Sequence, residues 1–140
     1  MSTNNRLFTA LAFFALAVCV SANAGETNCS NASLNGSYAL HATGTITGVG
    51  PFAAVGRFNF DGNGNLTGKL WQRVNGKNVV ETLTGEYSVN STCIVTDSWH
   101  LSLGETTTHL SIIRNNGTEY VILNNTNGSP STVSGEAKRQ

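Results

Sequence analysis

From residue 36 onward the chain alternates apolar and polar side chains in short runs, broken every ten to fifteen residues by Asn- and Gly-rich turns. Period-two alternation bounded by such turns is the pattern of half-buried antiparallel strands. The clearest unit is GRFNFDGNGNLTG, residues 56–68. It holds a strand ending Phe58-x-Phe60, an Asp-Gly-Asn-Gly turn, and a return strand that opens at Leu66. No convincing amphipathic helix lies between the runs.

The turns set a register. Asn75-Gly76 is a strong two-residue hairpin signal; it pairs Val74 with Lys77, Trp71 with Val80 and Leu70 with Glu81. A three-residue turn at 62–64 places Phe60 opposite Leu66 and Phe58 opposite Gly68. Taking 90–92 as a turn sets Tyr87 against Val95, Gly85 against Asp97 and Leu83 against Trp99. A turn near Gly104 then brings Trp99 to Leu110 and Asp97 to Ile112, and one at 115–117 pairs Ile112 with Tyr120.

One face stays apolar through these pairings: Phe58, Phe60, Leu66, Leu70, Val79, Leu83, Tyr87, Val95, Trp99, Leu110, Ile112, Tyr120 and Ile122. Tyr38 and Leu40 extend it into the first strand, Val133 and Ala137 into the last. The other face carries Arg57, Lys69, Arg73, Thr82, Glu86 and Arg114. A slip of one residue would exchange the two sets. The result is eight strands, near 36–45, 52–61, 65–74, 77–89, 92–102, 106–115, 118–124 and 131–138. Sequential hairpins predict an all-β fold, an eight-stranded antiparallel up-and-down barrel whose interior holds at most one small ligand. A two-sheet sandwich is the alternative, but nothing suggests Greek-key crossovers.

The N-terminus bears on compartment. Residues 1–6 are polar and mildly positive, 7–20 are apolar apart from Thr9, and Ala22-Asn23-Ala24 offers small residues where a signal peptidase reads. This predicts a signal peptide over residues 1–24, a secreted or periplasmic protein, and no membrane span in the mature chain. Residues 25–35 then form a short N-terminal segment and 36–140 the barrel domain. In an oxidising compartment the two remaining cysteines, Cys29 and Cys93, are expected to form one disulfide that tethers this segment.

Charge excludes partners. Acidic and basic residues number 8 each, and loss of Arg6 with the leader leaves the mature chain at −1. No basic run is present, which argues against nucleic acid. Several Asn-x-Ser/Thr sequons are accounted for by turn chemistry.

Two acids break the apolar inward face, Glu81 toward the mouth and Asp97 deeper. Carboxyls in an apolar cavity have raised pKa values and serve as acid, base or ligand partner. Together with the polar-tipped aromatics Tyr38, Tyr87, Trp99 and Tyr120 they are the candidate ligand-binding residues. His100 and His109 fall opposite one another on the outward face as solvated histidines, without a third metal ligand. Asp61–Asn65 lacks the Gly and Glu that a calcium loop requires, no nucleophile motif is present, and no cofactor is implied. Trp71 and Val80 form an outward apolar pair.

Leu34-Asn-Gly-Ser-Tyr38, the 56–68 block, Leu83-Thr-Gly-Glu-Tyr87 before Cys93, and the closing residues 135–140 resemble a group of small secreted bacterial proteins. The barrel this implies resembles calycin and allene-oxide-cyclase-like barrels, which include ligand carriers and a few cyclases. No cyclase catalytic set matches residue by residue, and Gly36-Ser37-Tyr38 stands where lipocalins have G-x-W. Three functions are compatible with these residues. One is a binding module for a small, partly apolar molecule, favoured over the rest. The second is a cyclase or isomerase using Glu81 or Asp97. The third is a structural or envelope-interaction protein with a filled barrel, so an enzyme is the less favoured reading.

Overall fold

The computed structural model describes residues 28–128 and 131–140; the expected signal peptide lies outside them. Eight antiparallel strands follow one another around a closed barrel: β1 (Asn35–Ile46), β2 (Gly50–Asp61), β3 (Asn65–Val74), β4 (Lys77–Val89), β5 (Ile94–Leu101), β6 (Thr106–Arg114), β7 (Glu119–Asn124) and β8 (Thr132–Arg139). Each pairs with the next, and β8 closes the circle on β1, with Leu40 opposite Ala137 and Ala42 opposite Gly135. Closure leaves no open sheet edge.

The hairpins at 62–64 and at Asn75-Gly76 have the register that the turns predict: Phe58 faces Gly68, Leu70 faces Glu81 and Trp71 faces Val80. Asp61 builds the first of these turns. Its carboxylate accepts the backbone N–H groups of Asn63 and Asn65 and the Asn65 side-chain amide, and these bonds lower its pKa from 3.8 to about 2. A carboxylate engaged in this way organises a turn. Gly68 is required by packing, since a Cβ there would stand 2.4 Å from the Phe58 ring.

Three later turns are corrected, those at 90–92 and near Gly104 for one physical reason. In each of these two, the loop closes through a residue in the left-handed region at its third position, the geometry of a type I turn followed by a G1 bulge. Cys93 has φ 65° and Gly104 has φ 102°. Their N–H groups donate to the carbonyls of Asn90 and Leu101. Including Cys93 in its loop moves β5 by two, so Trp99 faces Gly85, Leu101 faces Leu83 and Asp97 faces Tyr87. Faces are preserved. At Gly104 the change is odd: Asp97 pairs with His109 and Trp99 with Thr107, not with Ile112 and Leu110. β6 is therefore turned over. His109, Ser111 and Ile113 point inward, while Leu110 and Ile112 are exposed. A second odd difference, Ile113 rather than Ile112 opposite Tyr120, restores β7 to its expected faces.

The lower half of the barrel is solid. Tyr38, Phe60, Tyr87 and Tyr120 meet edge to face at centroid distances of 5.0–5.7 Å, a favourable aromatic geometry. Below them, Leu34 is fully buried. Residues 28–34 cross the lower opening with a single 3-10 turn at Asn31–Ser33. The Tyr87 hydroxyl donates to the carbonyls of Asn31 and Leu34, and the Asn31 side chain accepts the Val89 N–H. Cys29 and Cys93 are disulfide-bonded with Cα atoms 5.0 Å apart, which pins this segment to the β4–β5 turn. Their sequence separation of 64 residues corresponds to about 4 kcal/mol in the chain-entropy model. Arg139 completes the floor. Its guanidinium donates to the Tyr38 hydroxyl, which itself donates to the Gly117 carbonyl.

The orientation of β6 is open to a direct check. Ile113→Ala is expected to destabilise by about 2–4 kcal/mol, the ordinary cost of truncating a buried aliphatic. Ile112→Ala is expected to change stability by less than about 1 kcal/mol. Urea unfolding of the two variants measures this, and the reverse ranking would return β6 to the opposite face.

Candidate functional site: a half-barrel cavity

Above the aromatic floor the lumen opens into a cavity of about 560 Å³. Its wall is mainly aliphatic, with Leu40, Ile46, Phe52, Leu70, Val79, Leu101, Ile122 and Val133 among the lining residues. The volume follows from side-chain size at this level. Ala42 sits opposite Ala54 on β2 and Gly135 on β8, so three neighbouring strands contribute almost no bulk there. Val49, Leu103, Glu105 and Thr126 stand around the mouth. The segment after β7 is tied down by Asn125 N–H to the Thr108 carbonyl and by Thr108 N–H to the Thr126 hydroxyl.

The six residues singled out in the sequence divide by depth. Glu81 and Trp99 line the cavity. Asp97 is buried just behind its wall. Tyr38, Tyr87 and Tyr120 lie in the packed lower half, outside the cavity lining. Trp99 marks the boundary: its ring lies 4.8 Å from that of Phe58, which does not line the cavity.

Glu81 is 5% exposed. Its carboxylate accepts a hydrogen bond from the Gln72 side-chain amide on β3, and both residues line the cavity. Glu81 and Gln72 are on neighbouring strands near the mouth, where Leu70–Glu81 and Gln72–Val79 are cross-strand partners.

His109 is the cavity residue that the outward assignment of β6 hid. Its Nδ1 lies 2.7 Å from Asp97 Oδ1, and both side chains are buried. The imidazole also packs on Trp99 at 4.0 Å between centroids and lines the cavity. Desolvation raises the Asp97 pKa, and the His109 hydrogen bond and charge oppose that rise. The indole N–H of Trp99 favours the anion as well, although it forms no hydrogen bond of ordinary geometry. With Nδ1 held by Asp97, Nε2 is the ring nitrogen left to meet a ligand. Beneath this pair the Ser111 and Tyr120 hydroxyls are buried without a hydrogen-bond partner among the described residues, and burial raises the Tyr120 pKa well above its ordinary value. The opposed histidine pair is corrected accordingly: His100 is outward, near Thr106, and His109 is inside.

No family model and no curated protein matches the chain. Among solved structures it is similar to a de novo designed fluorescence-activating β-barrel, at 12% identity and a TM-score of 0.57. The match covers 77% of this chain and 94% of the designed one. At that identity the likeness is one of fold, a closed antiparallel barrel.

The buried pair generates a stability test with a definite pH dependence. His109→Leu leaves Asp97 alone in an apolar wall, and about 3–5 kcal/mol is expected to be lost at neutral pH. Folding holds the Asp97 proton more tightly than the unfolded chain does, so ionising Asp97 costs stability as pH rises above the ordinary carboxylate range. The His109→Leu deficit is therefore expected to shrink as pH falls and Asp97 takes up its proton. Asp97→Leu combined with His109→Leu is expected to recover most of the loss. Chemical denaturation at acidic and neutral pH measures all three, and a deficit that grows toward acid would contradict the assignment.

Proposed function

We propose that this barrel is a secreted or periplasmic binding protein that holds a small, partly apolar molecule in its upper half. The observation that carries the reading is the cavity. Its volume of about 560 Å³ falls within the range of small-molecule sites, which are apolar pockets with a few placed polar groups. Glu81–Gln72 and His109 are those groups. The similar designed barrel is described as fluorescence-activating, which supports the idea that a barrel of this size accepts a small guest. The resemblance to calycin-like carriers is in keeping with the same reading, and the Cys29–Cys93 disulfide with export to an oxidising compartment.

The alternatives fare less well. A structural protein with a filled barrel is at odds with the hollow upper half. A cyclase relying on Glu81 or Asp97 has no catalytic set in this sequence that matches residue by residue.

The test is a neutral hydrophobic fluorophore such as N-phenyl-1-naphthylamine. Saturable one-to-one binding with a blue-shifted emission is expected, accompanied by a rise in Tm. At a free concentration 100 times Kd the stabilisation would be about 2.7 kcal/mol. Ala42→Phe with Ala54→Phe fills the cavity from two adjacent positions on β1 and β2 and is expected to weaken binding at least about tenfold while the fold is retained. Undiminished binding in that double variant would place the fluorophore elsewhere and remove the support for a lumenal site.

A further inference from the structure

The charges around the cavity are predominantly acidic, and the histidine that lines it, His109, is already paired with Asp97. Glu81 and Glu105 line it, and Asp97 stands directly behind His109. Among the described residues no lysine or arginine lines the cavity. Arg73 and Lys77 occupy the same end of the barrel, but both are exposed outside the lumen, and Arg73 donates to Asn78. Among the described residues neither Glu81 nor Glu105 is in an ion pair, while Lys138 and Glu119 pair on the outer surface. The donor nearest Glu81, the Gln72 amide, is already engaged with it.

We infer that the cavity is built for an apolar molecule whose polar end is a hydrogen-bond donor, a lipophilic amine above all and an alcohol next, and that it rejects carboxylates. This rests on the binding reading above and names its ligand class. An anionic head entering the lumen would lose its hydration and meet two acidic side chains, while His109 is already engaged by Asp97. An ammonium head makes the opposite exchange, water for carboxylate oxygens. Specificity of this kind is carried by the repulsive term as much as by the attractive one. Glu81, 5% exposed, supplies the buried part of the field. Glu105, on the β5–β6 loop at the mouth, supplies the exposed part, which salt screens more readily.

The experiment is displacement of N-phenyl-1-naphthylamine at neutral pH by three amphiphiles of equal alkyl length, a primary amine, an alcohol and a carboxylate, each below its micelle threshold. The amine is expected to displace the fluorophore at concentrations about 30-fold or more below those of the carboxylate, with the alcohol between them. Glu81→Gln combined with Glu105→Gln is expected to bring amine and carboxylate to within about threefold of each other. Should that double variant fold poorly, Glu105→Gln alone changes only the exposed loop and is expected to narrow the ratio partway. A carboxylate that matches or beats the amine on the native protein would overturn the selectivity and leave binding intact, as would a ratio unchanged in the variants. If the fluorophore itself never enters the lumen, the binding reading fails and the selectivity falls with it.

Discussion

A closed eight-stranded barrel has a nearly constant cross-section, wide enough for side chains to fill or for one small guest to enter. How much side-chain volume each level receives therefore decides what the molecule is. In the lower half, Tyr38, Phe58, Phe60, Tyr87 and Tyr120 converge and leave no room. One level higher, β1, β2 and β8 contribute Ala42, Ala54 and Gly135, and the space remains open. The floor must be sealed from outside as well, which is the work of Leu34, Arg139 and the disulfide-held N-terminal segment. The barrel is thus a cup.

The polar groups of the cup are graded by depth. Glu81 and Gln72 satisfy each other near the mouth, at the junction of β3 and β4. Asp97 and His109 form a more deeply buried pair at the junction of β5 and β6. Removing charges of this kind from water is expensive unless they are well paired, and an all-apolar wall would serve stability at least as well. Their place at the cavity boundary, with no lysine or arginine lining it among the described residues, underlies the proposed chemical preference of the cup beyond its size.

Much of the fold was legible because turn residues fix register directly. Asn75-Gly76 and Gly62-Asn63-Gly64 require particular backbone conformations, and the pairings counted from them match the barrel. Glu81 and Trp99 followed as inward residues lining the lumen. His109 did not. On β6 both faces carry aliphatics, Leu110 and Ile112 on one and Ile113 on the other, so hydrophobic alternation favours the wrong face and only the loop geometry decides. The available signal was Gly104, which repeats the role of Gly64 as the left-handed residue ending a three-residue loop; read that way, His109 turns inward beside Asp97. Hollowness was harder to read, since it depends on which small residues meet across strands. Ala42 and Ala54 meet in the β1–β2 hairpin, and Gly135, far along the chain, joins them only after closure through β8.

The central claim is a solid floor beneath an open, apolar upper lumen. Crystallography under xenon pressure tests it most directly, because xenon enters apolar space through dispersion and leaves anomalous scattering where it binds. Xenon is expected above the Phe58–Trp99 layer, among Leu40, Leu70 and Ile122, and absent among Tyr38, Phe60, Tyr87 and Tyr120. An upper lumen closed by inward collapse of Phe52 and Leu101, with no xenon above that layer, would contradict the account.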